Sequence, residues 1–200
     1  MKKVLKDIAR GIIKGAIFIY CKIVYRIKII GIENVPKDEQ FIFCANHRTY
    51  LDPPLIEVTA RRHIIFLAKE DLAKNKFLAL LGGIFEVIYV KRDEKDITAI
   101  KSALKTLKNN KSLALFPEGT RNGIEKGEDL KDGTAFFTIK SGVKVLPIGI
   151  SGEVKPFHQV TIRYGKPMDF SQYTDVKDKE ILENVTNQIM EEIKTLVSYR

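Results

Sequence analysis

A chain of 200 residues with 44% hydrophobic and 30% charged residues has the balance of a globular protein and the length of one domain with its own core, which excludes a disordered or low-complexity class. The formal charge of +9 is unevenly placed: residues 1–30 hold eight Lys or Arg against one acid, whereas the other 170 residues hold 26 bases and 24 acids. Nearly balanced charge after residue 30, with no further basic run interleaved with stacking aromatics, argues against a nucleic-acid partner.

Taken in chain order, residues 1–23 read as an amphipathic helix. Leu5, Ile8, Ile12, Ala16, Ile19 and Ile23 recur at three- and four-residue steps, and Lys3, Lys6, Arg10 and Lys14 form a second stripe. Such a helix suits the interface of an anionic bilayer. The plainer reading packs the apolar stripe on the domain and leaves the charges in water. No window of 18 uncharged apolar residues occurs, so a spanning helix is not expected. Charge interrupts the N-terminal apolar stretch and no small-residue cleavage site follows it, so no signal peptide is expected either. Cys21 and Cys44 form no metal-ligand spacing and no disulfide framework, and read as reduced thiols in a cytosolic setting.

Residues 24–200 read as one domain. Val24–Gly31 alternates as a strand, 31–40 is a loop around Pro36, and the apolar run FIFCA at 41–45 is a strand buried on both faces. Pro53 and Pro54 suit the first turn of a helix over 53–62. A strand at 63–68, a short helical piece at 77–81 ending on Gly82–Gly83, and a strand at 85–90 follow. Ile97, Ile100, Leu104 and Leu107 mark a helix, SLALF at 112–116 a buried strand, and 121–132 a polar loop. A helix over 133–140 stopping at Gly142, strands at 145–150 and 159–164, and a C-terminal helix on Ile181, Leu182, Val185, Ile189, Ile193 and Leu196 complete the pattern. Strands alternating with helices predict an α/β fold, a single domain around a mixed, largely buried sheet flanked by helices.

Three loops after buried strands carry the residues able to do chemistry, the place where ligands gather in open α/β sheets. In NHRTYLD at 46–52, His47 is the side chain best suited to accept a proton near neutral pH, and Asp52 is able to fix its tautomer. Each has an ordinary alternative: Asp52 as a helix N-cap, His47 as a surface loop residue. In FPEGTR at 116–121, Gly119 permits a tight turn, and Arg121 offers a planar charged fork that matches phosphate oxygens. Glu118 suits a hydroxyl partner or a brace for the arginine. Lys91 and Arg92, after the strand ending at Val90, suit a phosphate or simple solvation. His63 and His158 read as structural or solvent-exposed, and nothing points to a metal, a nucleotide loop, a Gly-x-Ser-x-Gly nucleophile or a cofactor.

In this order and spacing the segments resemble the bacterial 1-acylglycerol-3-phosphate acyltransferase family of the glycerophosphate acyltransferase superfamily. NHRTYLD is similar to its first block, GGIFEVIYVKRD at 82–93 to its second through Arg92, FPEGTR to its third and VLPIGI at 145–150 to its fourth through Pro147. The likeness runs from about Gly31 to Pro167 and includes VTIRYGKPM. It implies direct attack of an acceptor hydroxyl on an acyl thioester, with His47 as base, Asp52 orienting it, and no covalent acyl-enzyme. Arg121 and Arg92, assisted by Lys91, would bind the acceptor phosphate, and Glu118, Gly119 and Thr120 would shape the acceptor site. Pro147 is read as structural. Thr49 stands where the family commonly has Ser, which keeps the hydroxyl and points to a variant acceptor if to anything.

The implied reaction makes phosphatidic acid from a lysophospholipid acceptor, with acyl carrier protein or coenzyme A as donor, at the cytoplasmic face of the cell membrane and as a peripheral protein. Alternatives are the same chemistry on glycerol-3-phosphate, another lysophospholipid or a lyso-aminolipid. A non-catalytic membrane-binding protein on the same fold is a third, and a nucleic-acid binder the remotest.

Overall fold

The computed structural model describes residues 2–91, 96–123 and 130–199. Its element order is α1 (Lys2–Val24), β1 (Lys28–Ile30), β2 (Ile42–Ala45), α2 (Asp52–Thr59), β3 (Ile64–Lys69), α3 (Lys76–Ile84), β4 (Ile88–Val90), α4 (Ile97–Lys108), β5 (Ser112–Leu115), α5 (Gly133–Ser141), β6 (Val145–Gly152), β7 (Val160–Tyr164) and α6 (Lys179–Ser198). Short 3₁₀ turns occupy Ile32–Asn34 and Glu70–Lys74.

The seven strands form one sheet in the order β1-β7-β6-β2-β5-β3-β4. All described pairings are parallel except β6 with β7, which makes the sheet mixed. Both faces are covered, as the continuous apolar runs require. Phe41, Phe43 and Ala45 point to the side of α1 and α2. Ile42 and Cys44 point to the side of α4, α5 and α6, the period-2 alternation of one strand dividing two cores.

α6 lies so close on β6 that a Cβ on Gly149 would stand 2.6 Å from Leu196 Cβ, which explains the glycine in VLPIGI. Pro147 in the same strand sits where β6 pairing shifts register, from Ile148 opposite Tyr164 to Val145 opposite Met168. A missing N–H is tolerated at such a bulge. Its carbonyl still accepts from Gly165 N at 2.9 Å.

Several boundaries differ from expectation. Val24 closes α1, so the first strand shrinks to Lys28–Ile30. α2 ends at Thr59, with Arg61 in the left-handed region. The 85–90 strand is confined to Ile88–Val90. Gly82–Gly83 does not stop α3, which runs on to Ile84. A Cβ on Gly82 would lie 2.0 Å from Tyr89 Oη, so this glycine answers close packing rather than chain reversal.

For α1 the plainer reading, with the apolar stripe packed on the domain, does not hold: Leu5, Ile8, Ile12, Ile19 and Ile23 are 55–69% exposed. Three residues of the basic stripe reach the domain. Lys6 Nζ donates to Gly83 O, Arg10 Nε and Nη2 donate to Ile84 O, and Lys14 Nζ donates to Arg62 O at 2.6 Å. Ile17, Phe18 and Cys21 supply the apolar contact with the core.

Lys14 also pairs with Glu57 of α2 at 3.1 Å, and Glu57 is buried. Glu57 further accepts from Ile64 N and meets His63 Nδ1 at 3.0 Å, so part of its stabilisation survives loss of the lysine. Lys14→Met is expected to destabilise the fold by about 1–3 kcal/mol, below the usual cost of breaking a buried pair outright. Thermal unfolding would register that as a fall in Tm of roughly 2–4 °C per kcal/mol for a chain of this size. A melting point unchanged by the substitution would show that water replaces the lysine without loss.

Candidate active site

The loops after β2 and β5, neighbours at the centre of the sheet, meet at its carboxyl end. Asn46 begins the first loop buried and clamped to β6: its Oδ1 accepts from Ile150 N at 2.8 Å, and its Nδ2 donates to Ile150 O at 2.9 Å. Arg48 fastens the same loop by donating to Gly152 O at 2.8 Å. Between these two residues His47 projects from a braced backbone.

Asp52 is fully buried and stands at the first turn of α2. Its carboxylate turns back over the loop instead of capping the helix. Oδ2 lies 2.9 Å from His47 Nδ1 and accepts from Arg48 N at 2.6 Å and Thr49 N at 2.7 Å. Oδ1 accepts from Thr49 Oγ1 at 3.0 Å. These donors compensate a carboxylate removed from water. They also make Nδ1 the protonated nitrogen of a neutral His47, leaving Nε2 as its basic one. The Thr49 hydroxyl accepts in turn from Leu51 N, which explains why a hydroxyl-bearing residue stands there.

The FPEGTR loop grips His47 from the other side. Glu118, buried, accepts from His47 N at 2.9 Å, and Asn122 N donates to His47 O at 2.7 Å. The Phe116 ring stacks on the imidazole with centroids 4.2 Å apart and planes at 22°. Both backbone groups of His47 and one face of its ring are thus fixed by the second loop. Glu118, read from sequence as a hydroxyl partner or an arginine brace, acts on the histidine backbone in this arrangement. Arg121 lies across the Tyr50 ring at 3.6 Å, joining the two loops a second time.

Gly119 turns the loop at a positive φ of 67°, its N–H donating to Phe116 O at 2.9 Å. The Lys131 side chain crosses over it, so a Cβ would come within 2.6 Å of Lys131 Cγ. That lysine is exposed and able to move, so the cost of Gly119→Ala lies mainly in the left-handed backbone. We expect a loss of about 1–2 kcal/mol, read as a lowered Tm. A Tm equal to that of the parent would mean the turn accommodates Ala by leaving the left-handed region.

Lys91 follows β4 at the sheet edge, three strand positions from β2, or roughly 14 Å at the usual inter-strand spacing. Its backbone N donates to Asp96 Oδ2 at 3.1 Å. It therefore shares the carboxyl end of the sheet with His47 but not its immediate surroundings. Arg92 lies outside the described residues. Thr120 follows Gly119 in the gripping loop and is half-buried.

His63 belongs to the opposite end of the sheet. It lies between Glu57 and Glu86, at a cleft of about 270 Å³ also lined by Arg10, Arg62 and Lys111. That ion network ties α1 to the domain and leaves His63 far from the loops described above. Cys21 and Cys44 are buried free thiols, pushed up in pKa by burial, and neither is placed as a nucleophile.

The sequence model of the Acyltransferase family matches residues 26–151, which contain both loops. The chain belongs to this family. Among its relatives, the 1-acyl-sn-glycerol-3-phosphate acyltransferase of Streptococcus pneumoniae is 29% identical over 80% of this chain, and that of Borreliella burgdorferi is 30% identical over 62%. The chain spans 61% and 50% of the lengths of these two proteins. The crystal structure of the 1-acyl-sn-glycerophosphate acyltransferase PlsC from Thermotoga maritima superposes with a TM-score of 0.74 and 26% identity, covering 97% of this chain and 83% of that one.

Four residues that build this candidate site carry no separate role in the sequence alone: Asn46, Arg48, Phe116 and Asn122. Asn46 carried a usable signal, since a polar residue ending an all-apolar buried strand requires a partner at the strand end. Phe116 and Asn122 carried none, because their contacts with His47 are made across two strands.

Proposed function

We propose that the protein transfers a fatty acyl group from a thioester to the free hydroxyl of 1-acylglycerol-3-phosphate, giving phosphatidic acid. The carrying observation is the imidazole of His47 with Asp52 at 2.9 Å on Nδ1 and its basic nitrogen turned away from that partner. The acceptor hydroxyl gives its proton to His47 Nε2 as its oxygen attacks the thioester carbonyl carbon. The tetrahedral adduct collapses, the carbon–sulfur bond breaks, and the departing thiolate takes the proton back from the imidazolium. Asp52 stabilises the imidazolium between the two steps. The net change is one ester formed and one thioester broken, and no acyl-enzyme is required.

Arg121, held over Tyr50 beside this centre, is assigned to the acceptor phosphate, for which a planar guanidinium is suited. Lys91 and Arg92 are assigned to the outer side of the headgroup. Glu118, Gly119 and Thr120 shape the acceptor site through the loop that fixes His47. Acyl carrier protein or coenzyme A presents the acyl chain.

The reading extends to a bilayer at the cytoplasmic face of the membrane, touched peripherally. Among the described residues no helix is long and apolar enough to cross a membrane. The outward apolar stripe of α1 supports contact with a membrane surface, since its side chains stand exposed. The deciding assay measures phosphatidic acid formed from 1-acylglycerol-3-phosphate with each donor. Its absence with a folded protein, alongside turnover of glycerol-3-phosphate or another lysophospholipid, would reassign the acceptor. Absence of transfer to every acceptor would remove the enzymatic reading.

A further inference from the structure

Fifteen large apolar side chains stand exposed among the described residues, and ten of them lie on two helices in contact: seven on α1 and three on α3. The three on α3 are Phe77 at 66%, Leu80 at 62% and Leu78 at 38% exposure. Phe77 and Leu80 are one helical turn apart and share a face. Exposed apolar side chains gathered on two neighbouring helices mark an interaction site, because scattered single exposures would not collect there.

The course of α3 gives its face a location. The chain leaves β3 at Lys69, at the carboxyl end of the sheet where His47 lies, and passes through the 3₁₀ turn into α3. It ends at Gly83 and Ile84, whose carbonyls receive Lys6 and Arg10 of α1. α3 therefore runs from the active end of the sheet to the helix with the outward apolar stripe.

The charge around the face selects its occupant. Exposed Lys74 and Lys76 precede Phe77 in the chain; Asp71 pairs with Lys69 and Lys74, and with exposed Glu70 the stretch 69–76 still holds three bases to two acids. Lys6, Lys22 and Arg26 are exposed along α1 and just beyond it. An apolar surface rimmed by cations matches the acyl and headgroup layers of an anionic bilayer.

We propose that Phe77, Leu78 and Leu80 of α3 form a second bilayer contact, set between α1 and the active end of the sheet. The inference rests on the membrane reading of α1 and adds a contact that reading does not require. With both helices seated, a lipid acceptor moves from the leaflet towards His47 along α3 instead of crossing water.

The test uses the full chain and vesicles of mixed phosphatidylglycerol and phosphatidylcholine. Phe77→Ser/Leu80→Ser is expected to weaken co-sedimentation about ten- to hundredfold, from the loss of two inserted side chains. The chain contains no tryptophan, so Phe77→Trp supplies a single fluorophore whose emission should shift to the blue on vesicle addition. That second variant keeps the test decisive if the double serine variant fails to fold.

Unchanged tryptophan emission from a Phe77→Trp protein that co-sediments would overturn the α3 contact. If Ile12→Ser/Ile19→Ser weakens binding at the same time, the membrane reading of α1 stands alone. Absence of vesicle binding by the parent chain would overturn both readings. A concentration-dependent dimer abolished by Phe77→Ser/Leu80→Ser would assign the face to a second copy of the chain and overturn the proposal.

Discussion

His47→Ala is expected to fold as the parent does and to lose roughly 10²–10⁴ in the rate of acyl transfer, the usual contribution of a positioned base. The two halves of this expectation have separate causes. The imidazole keeps 16% of its side chain exposed and stacks on the Phe116 ring. Its removal leaves Asp52 with three other donors, so no buried charge is stranded. The backbone of residue 47 keeps its bonds to Glu118 and Asn122 whatever side chain it carries. Thermal unfolding should therefore move little while transfer collapses. A variant retaining more than a tenth of the parent rate, with the parent's Tm, would exclude His47 as the base.

Much of this architecture is legible in the sequence because it depends on local pattern. FIFCA and SLALF are apolar without interruption, and the structure puts them side by side at the centre of the sheet. Gly142 ends α5 in the left-handed region, as a glycine after a helical run signals. What pattern does not carry is which face of an element meets which neighbour. The two stripes of α1 are visible as periodicity, yet only the carbonyls of Gly83, Ile84 and Arg62 decide that Lys6, Arg10 and Lys14 turn towards the domain. Gly82 has the same character: it reads as a helix stop until Tyr89, seven residues on, is seen lying against it.

The site divides in the same way. The His47–Asp52 pairing is local, five positions apart on one loop, and the spacing makes it readable. Glu118 reaches His47 across 71 positions of sequence, so its place beneath the histidine backbone follows from the adjacency of β2 and β5. The family resemblance pointed to Glu118 without giving its contact, and the strand order supplies it. Lys91 illustrates the converse, since its motif groups it with Arg92 and the other blocks while the sheet puts β4 at the edge.

Asp52 is where substitution separates orientation from charge. In Asp52→Asn, the amide oxygen is able to replace Oδ2 and still accept from His47 Nδ1, Arg48 N and Thr49 N. The amide nitrogen then faces Thr49 Oγ1, a hydroxyl able to rotate and accept. The loop and the tautomer of His47 survive, and the lost quantity is the negative charge opposite the imidazolium. Asp52→Ala instead leaves two backbone N–H groups, the Thr49 hydroxyl and the imidazole N–H without their acceptor at a fully buried position. We expect Asp52→Ala to cost about 3–5 kcal/mol of stability and Asp52→Asn about 1 kcal/mol, since stranding buried donors costs more than removing the charge they solvate. Both should lose roughly 10²–10⁴ in transfer rate, because neither stabilises the protonated histidine. If Asp52→Asn transfers at the parent rate, the carboxylate serves the loop alone, and the charge required by the proposed proton cycle must be sought elsewhere. If it is slow yet melts close to the parent, the carboxylate's charge acts on the reaction itself, through the one hydrogen bond that joins it to His47.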